Sequence, residues 1–153
     1  MTRKQPCELP KKLRAEGVIY LEMFSVMVPL YTCDRTRIDA MNFMGFDLEQ
    51  SDRSMLGCVA MHTDDDTGSV MFSLTIDPEA TLSTWAHEAV HLADLLMEDR
   101  GIPTDASNTE VRAYITGYVV DQISKIMDGY HIRIQKRMTK KLTKKLTKDK
   151  TKH

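Results

Sequence analysis

Residues 70–101 read VMFSLTIDPEATLSTWAHEAVHLADLLMEDRG, and the fold turns on this stretch. Val70, Phe72, Leu74 and Ile76 alternate with Met71, Ser73 and Thr75, the period-2 pattern of a strand with one face buried. Asp77-Pro78-Glu79 reads as a helix start, with Asp77 as N-cap and Pro78 at the first helical position. On a helical wheel, Leu82, Trp85, Ala86, Ala89, Val90, Ala93, Leu96 and Met97 fill one broad apolar arc. His87, His91, Asp94 and Glu98 form a narrow ionisable stripe opposite it. The two histidines of that stripe bracket His87-Glu88-Ala89-Val90-His91, an H-E-x-x-H pattern. Histidines four residues apart project from one helix face, one turn apart, and can grip one tetrahedral Zn²⁺. A carboxylate at Glu88 can then take a proton from water that the metal has acidified, the chemistry of a zinc hydrolase with Glu88 as general base. The competing reading is two surface histidines on an ordinary amphipathic helix, and composition alone gives the pattern in roughly one chain per hundred.

Working outward, the motif helix is expected to end near Gly101, with Pro103 beyond, and a second helix to run from about Asp105 to Asp128 before Gly129. Catalytic zinc takes three protein ligands and leaves a position open, so the histidines need a partner. Glu110 lies nineteen residues after His91 in the run Asn108-Thr109-Glu110-Val111-Arg112-Ala113-Tyr114. An H-E-x-x-H pair followed about twenty residues later by an acidic helix resembles the gluzincin metallopeptidases, of the short zincin-like kind found in bacteria and tailed phages. The resemblance covers roughly residues 70–125 and implies that His87, His91 and Glu110 bind zinc and that Glu88 is the base. It is incomplete. The best-known gluzincins have N-E-x-x-S-D, whereas Thr109 separates Asn108 from Glu110 and Tyr114 stands where an Asp would orient a histidine. Asp94, one turn beyond His91, is an alternative orienting group.

Two other readings of Glu110 stay open at this level. Ser107-Asn108-Thr109-Glu110 matches a capping box, in which Glu110 bonds back to the Ser107 N–H. Strictly antiparallel helices would also bring Asp121 and Tyr118 level with the histidines, leaving Glu110 about 9 Å away. Asp121 is therefore the rival ligand. Glu110, Tyr114, Gly117 and Asp121 share one helix face. Tyr114 and Tyr118 offer phenolic donors to a developing oxyanion, although such tyrosines more often simply pack. His62 and His131 read as surface or core histidines.

Upstream, Val18 to Cys33 is rich in β-branched, aromatic and apolar residues and suits a buried strand, broken near Pro29. Asp34 or Thr36 can cap a helix through Arg37 to Met44, ended by Gly45. Met55 to His62 and Val70 to Ile76 flank the turn-rich Thr63-Asp64-Asp65-Asp66-Thr67-Gly68 and read as a hairpin. The three acids can be cation ligands but suit a solvated turn better. Val70–Ile76 is expected to be an edge strand beside the site, able to pair with an extended peptide substrate; its alternative is an interior strand.

The whole chain, 153 residues with 42% apolar composition, is long enough for one domain with a real core. Cys7, Cys33 and Cys58 are odd in number and lack C-x-x-C spacing, so neither a disulfide framework nor a cysteine zinc site is indicated. The apolar run from Val18 to Tyr31 is interrupted by Glu22 and Pro29 and reads as neither a leader nor a bilayer span. The expected location is the cytoplasm, that of the host if the chain is phage-encoded. The net charge of −1 hides an asymmetry: Arg133 to His153 carries ten Lys/Arg against one Asp, leaving eleven basic and twenty-one acidic residues before it. An acidic body favours cations and basic substrates, and a basic tail favours nucleic acid or an acidic partner. The tail repeats Thr-Lys-Lys-Leu and is read either as solvated and disordered or as an amphipathic helix on an anionic surface.

The expectation is thus an α+β fold, a small antiparallel or mixed sheet with a zinc-bearing helix and a second packed helix. A flexible arm (1–13) precedes one domain (14–130) and a basic low-complexity tail (131–153). Its expected activity is zinc-dependent hydrolysis of peptide or protein substrates. The competing class is a non-enzymatic regulatory protein whose tail engages nucleic acid or an acidic partner.

Overall fold

The computed structural model describes residues 9–50 and 55–150. Four strands form one mixed sheet: β1 (Gly17–Leu21), β2 (Val26–Tyr31), β3 (Gly57–Thr63) and β4 (Val70–Ile76), in the order β1-β2-β4-β3. Three helices complete the α+β fold: α1 (Asp34–Phe43), α2 (Leu82–Asp99) and α3 (Thr109–Lys150). No described helix is long and apolar enough to cross a membrane. Cys33 and Cys58 are free thiols. The eight N-terminal residues of the expected arm, Cys7 among them, lie outside the described residues; Lys11–Leu13 form a 3-10 turn that buries Leu13.

The apolar stretch from Val18 to Cys33 is a hairpin rather than one strand. Its break is the 3-10 turn Glu22–Phe24, closed by Ser25 in the left-handed region at φ 54°. Pro29, the expected breaker, lies within β2 opposite Val18. Proline has no N–H to give a ladder. Consistently, β2 pairs with β4 only after it, through Leu30↔Leu74 and Tyr31↔Thr75 in parallel register.

The sheet has two differently built faces because side chains alternate along each strand. Phe72, Leu74 and Ile76 of β4 join Ile19, Val28 and Leu30 and the buried sides of α2 and α3 in the main core. Ala89, Leu92, Ala93 and Leu96 of α2 meet Ile115, Val119, Ile123 and Met127 of α3 there, all fully or almost fully buried. On the other face, α1 covers a smaller cluster of Leu13, Tyr31, Ala40 and Met41.

Interspersed with that smaller cluster is a buried polar network absent from the sequence-based expectations. Asp34 Oδ1 accepts from Arg37 Nε at 2.7 Å, and Arg37 Nη2 lies 2.7 Å from the same oxygen. Arg37 Nη1 reaches Ser73 Oγ and His62 Nε2, each at 3.3 Å, and Ser73 Oγ stands 2.8 Å from His62 Nε2. Arg37, His62, Ser73 and Thr75 are all buried. His62 also stacks on Phe46, with ring centroids 5.6 Å apart. An arginine is always charged, so the acceptor facing it must be an unprotonated imidazole nitrogen. Burial and the Arg37 charge together hold the His62 pKa down to about 4.

Helix limits depart from expectation where side chains found other partners. Asp77 Oδ1 accepts from the Glu79 N–H at 2.8 Å in a separate turn, so α2 starts five residues later than Asp77. Its end agrees: Gly101 takes φ 65°, and the Ile102 N–H returns to Met97 O at 2.8 Å, a Schellman-type closure. Asp105, not Ser107, caps the next segment, its Oδ1 accepting from the Ser107 N–H at 2.9 Å. Gly129 does not stop α3. His131 is tied to Pro78 O at 3.2 Å and Arg133 to Glu16 at 2.6 Å just beyond it. The Lys, Leu, Met and Gln residues that follow favour helix, so the low-complexity tail continues α3 to Lys150.

Candidate metal centre

The H-E-x-x-H segment forms little more than one turn inside α2, which sets its two histidines one above the other. His87 and His91 are exposed, and their Nε2 atoms lie 2.9 Å apart, with ring centroids at 4.5 Å. Two nitrogen donors on a tetrahedral zinc with bonds of about 2.0–2.1 Å stand roughly 3.3 Å apart. The imidazoles therefore already converge on a common point at nearly the separation that one metal ion requires, so this pair fits zinc.

Glu88 takes a different direction. One residue round the helix from His87 is 100°, enough to carry its side chain from the exposed stripe to the rim under β3, where it is only 6% exposed. Gly57, the first residue of β3, makes room. A Cβ at that position would stand 2.6 Å from Glu88 Cγ and 2.9 Å from its Oε1. Replacing Gly57 by Ala should destabilise the fold by about 1–3 kcal/mol through this overlap. The same change on a Glu88→Ala background should cost much less. Urea denaturation of the four proteins measures the coupling, and additive effects would show that β3 and Glu88 do not contact.

Cys58 follows Gly57 on the sheet's α1 side. Burial pushes its thiol pKa up, with Arg37 lowering it and the Asp34 and Glu88 charges raising it.

Asp94 does not orient His91. Both its oxygens are taken by Arg112 of α3, Oδ1 from Nε at 2.6 Å and Oδ2 from Nη2 at 2.7 Å. This bidentate pair and the His131–Pro78 contact fix α3 antiparallel to α2. In that register Glu110 lies about 7 Å along the axis from His91, whereas Asp121 comes within about 3 Å of the level of His87. Glu110, Tyr114, Gly117 and Asp121 do share one face, and all four are exposed. That face is opposite the buried Ile115, Val119, Ile123 and Met127, so it looks outward from the helix layer, as the histidine stripe does. The structure brings His87 and His91 together and does not draw Glu110 to them. Among the described residues no third His, Cys, Asp or Glu closes a metal-binding group.

Tyr114 and Tyr118 are placed away from the histidines. They line a cleft of about 200 Å³ against Leu21–Phe24, at the β1 edge of the sheet. Tyr118 Oη donates to Tyr20 O at 2.9 Å. The tyrosines thus stand on the side of α3 remote from α2, which is explained by α3 packing along β1 while α2 packs along β3.

The expected edge strand is corrected as well. Val70–Ile76 is interior, paired with β2 on one side and β3 on the other. The edge beside α2 is β3. The alternation along Val70–Ile76 says which face is buried but not which neighbours pair with it, so only the parallel β2–β4 pairing, a long-range contact, assigns it an interior place. The Asp64–Asp66 turn is self-contained: Asp64 Oδ1 accepts from the N–H groups of Asp66 and Thr67 at 2.9 and 3.0 Å.

Comparison with family models, with curated proteins and with solved structures finds no match.

Proposed function

We propose that this chain is a zinc-dependent metallopeptidase of the zincin-like type. The observation that carries the reading is the convergence of His87 and His91 Nε2 at 2.9 Å on a helix whose next residue, Glu88, is a buried carboxylate. His87 and His91 would hold the metal, and Glu110 is the third ligand that the gluzincin resemblance implies. When bound, zinc acidifies water and polarises a carbonyl. Glu88 receives the proton released by the attacking water and returns it to the leaving amine. Edge strand β3, beside α2, is the element on which an extended peptide would pair.

Elemental analysis of the purified protein tests the first step. One equivalent of zinc is expected, with affinity falling by at least tenfold in both His87→Ala and His91→Ala. Glu110→Gln should lower zinc affinity about 10- to 100-fold, measured by competition with a chromogenic chelator. If Glu110→Gln binds zinc as tightly as the parent while Asp121→Asn does not, Asp121 takes the third position. Absence of stoichiometric zinc, with uptake unchanged in His87→Ala, refutes the hydrolase reading.

A further inference from the structure

At the end of the molecule where α3 continues past the body, a second chemistry is built. A cleft of about 300 Å³ is walled by Lys11, Lys12, Arg14 and Glu16, by Thr32 and Thr36 beside the start of α1, and by Arg137 of α3. Four of these side chains are cationic. Among the described lining residues the one acid is Glu16, held by Arg133 Nη2 at 2.6 Å, so its charge is already answered. Arg14 is braced by its Nε bond to Leu9 O at 3.2 Å.

The cleft does not end at Arg137. At 100° per residue, Lys136, Arg137, Lys140, Lys141 and Lys144 all fall within an arc of about 140° on α3. All five are exposed. From Lys136 to Lys144 this stripe runs about 12 Å, and it begins beside the cleft, which Arg137 lines. Met138 and Leu142, 60% and 61% exposed, lie on the other side of the helix.

We infer that the cleft and the basic face of α3 form one phosphate-binding surface, and that its ligand is the backbone of double-stranded nucleic acid. Two observations select this polyanion. A linear stripe matches a duplex, which carries one charge per about 1.7 Å of axis. The cleft and the apolar side chains face opposite ways, so a bilayer seated on the basic residues leaves Met138 and Leu142 in water, where an interfacial helix would bury them. Recognition is by charge, because no exposed aromatic lines the stripe to stack on a base. Binding is therefore indifferent to sequence, and it is independent of the histidine pair.

Fluorescence anisotropy of the full chain with a labelled 20-base-pair duplex, titrated across KCl concentrations, tests the inference. The parent should bind with a log–log salt slope of about −0.9 per phosphate engaged. Lys11→Glu/Lys12→Glu should weaken binding at least tenfold and reduce the slope by about 2. Arg137→Glu/Lys140→Glu/Lys144→Glu should weaken it further, and Met138→Gln/Leu142→Gln should bind as the parent does. Circular dichroism confirms that each variant keeps its helix. Unchanged binding by Lys11→Glu/Lys12→Glu overturns the composite surface. Loss of binding in Met138→Gln/Leu142→Gln, or displacement of the duplex by polyglutamate at equal charge concentration, overturns the assignment to nucleic acid.

Discussion

Glu88→Gln is expected to lower peptide hydrolysis by about 10²–10⁴-fold, the usual contribution of a positioned general base, while zinc affinity stays at the parental value. The amide is isosteric with the carboxylate and fits the space that Gly57 leaves open, so the fold should tolerate it. His87 and His91 converge without any contribution from Glu88, which is why metal uptake is the control. Turnover of a quenched fluorescent peptide library by the zinc-loaded protein supplies the measurement. Activity within tenfold of the parent would reduce Glu88 to a packing residue under β3.

The second large effect is a loss of stability on mild acidification, traced to His62. Its folded pKa of about 4 lies below its ordinary 6.5. As pH falls through 6.5 the unfolded chain takes up a proton on this ring, and the folded chain does not until about pH 4. Protonation thus favours unfolding across that window. The stabilisation is fully present above pH 6.5, lost progressively toward pH 4, and of order 3 kcal/mol by linkage. His62→Gln keeps an acceptor for Arg37 and Ser73 but cannot titrate. Urea unfolding of parent and variant from pH 7.5 to 4.5 should show the difference in stability between them shrinking or reversing as pH falls. A difference independent of pH would mean that His62 protonates freely in the folded protein.

What the chain disclosed beforehand was mostly periodic. The strand Val70–Ile76 appears with the limits that its alternation predicted, and α2 places His87, His91 and Glu98 on its exposed side as the wheel did. Local stops were read less well, because Asp77 and Gly129 carry turn chemistry that either a helix end or a helix interior can absorb. Long-range facts were not legible. That β4 is interior depends on a parallel pairing with β2, more than forty residues earlier in the chain. The outward direction of Glu110 and Tyr114 depends on which side of α3 packs, and the carboxylate of Asp94 was taken by an arginine eighteen residues away. For His62 the sequence leaves a surface and a core place open, because a lone histidine has no spacing signature; the structure takes the core place, and Arg37 and Ser73 give the ring its chemistry only after folding.

The continuity of α3 through Gly129 has a mechanical meaning. Forty-two residues in one helix make a strut about 63 Å long, of which roughly the last 20 Å, beyond Arg137, extends past the body. A flexible tether would let the body sample all distances from whatever the basic residues grip, at an effective concentration set by its length. A strut instead sets a standoff. The histidine pair on α2, which Asp94 and Arg112 tie to the body of α3, is thereby held apart from the basic end of α3, so a partner gripped at one site meets the other only at a fixed reach.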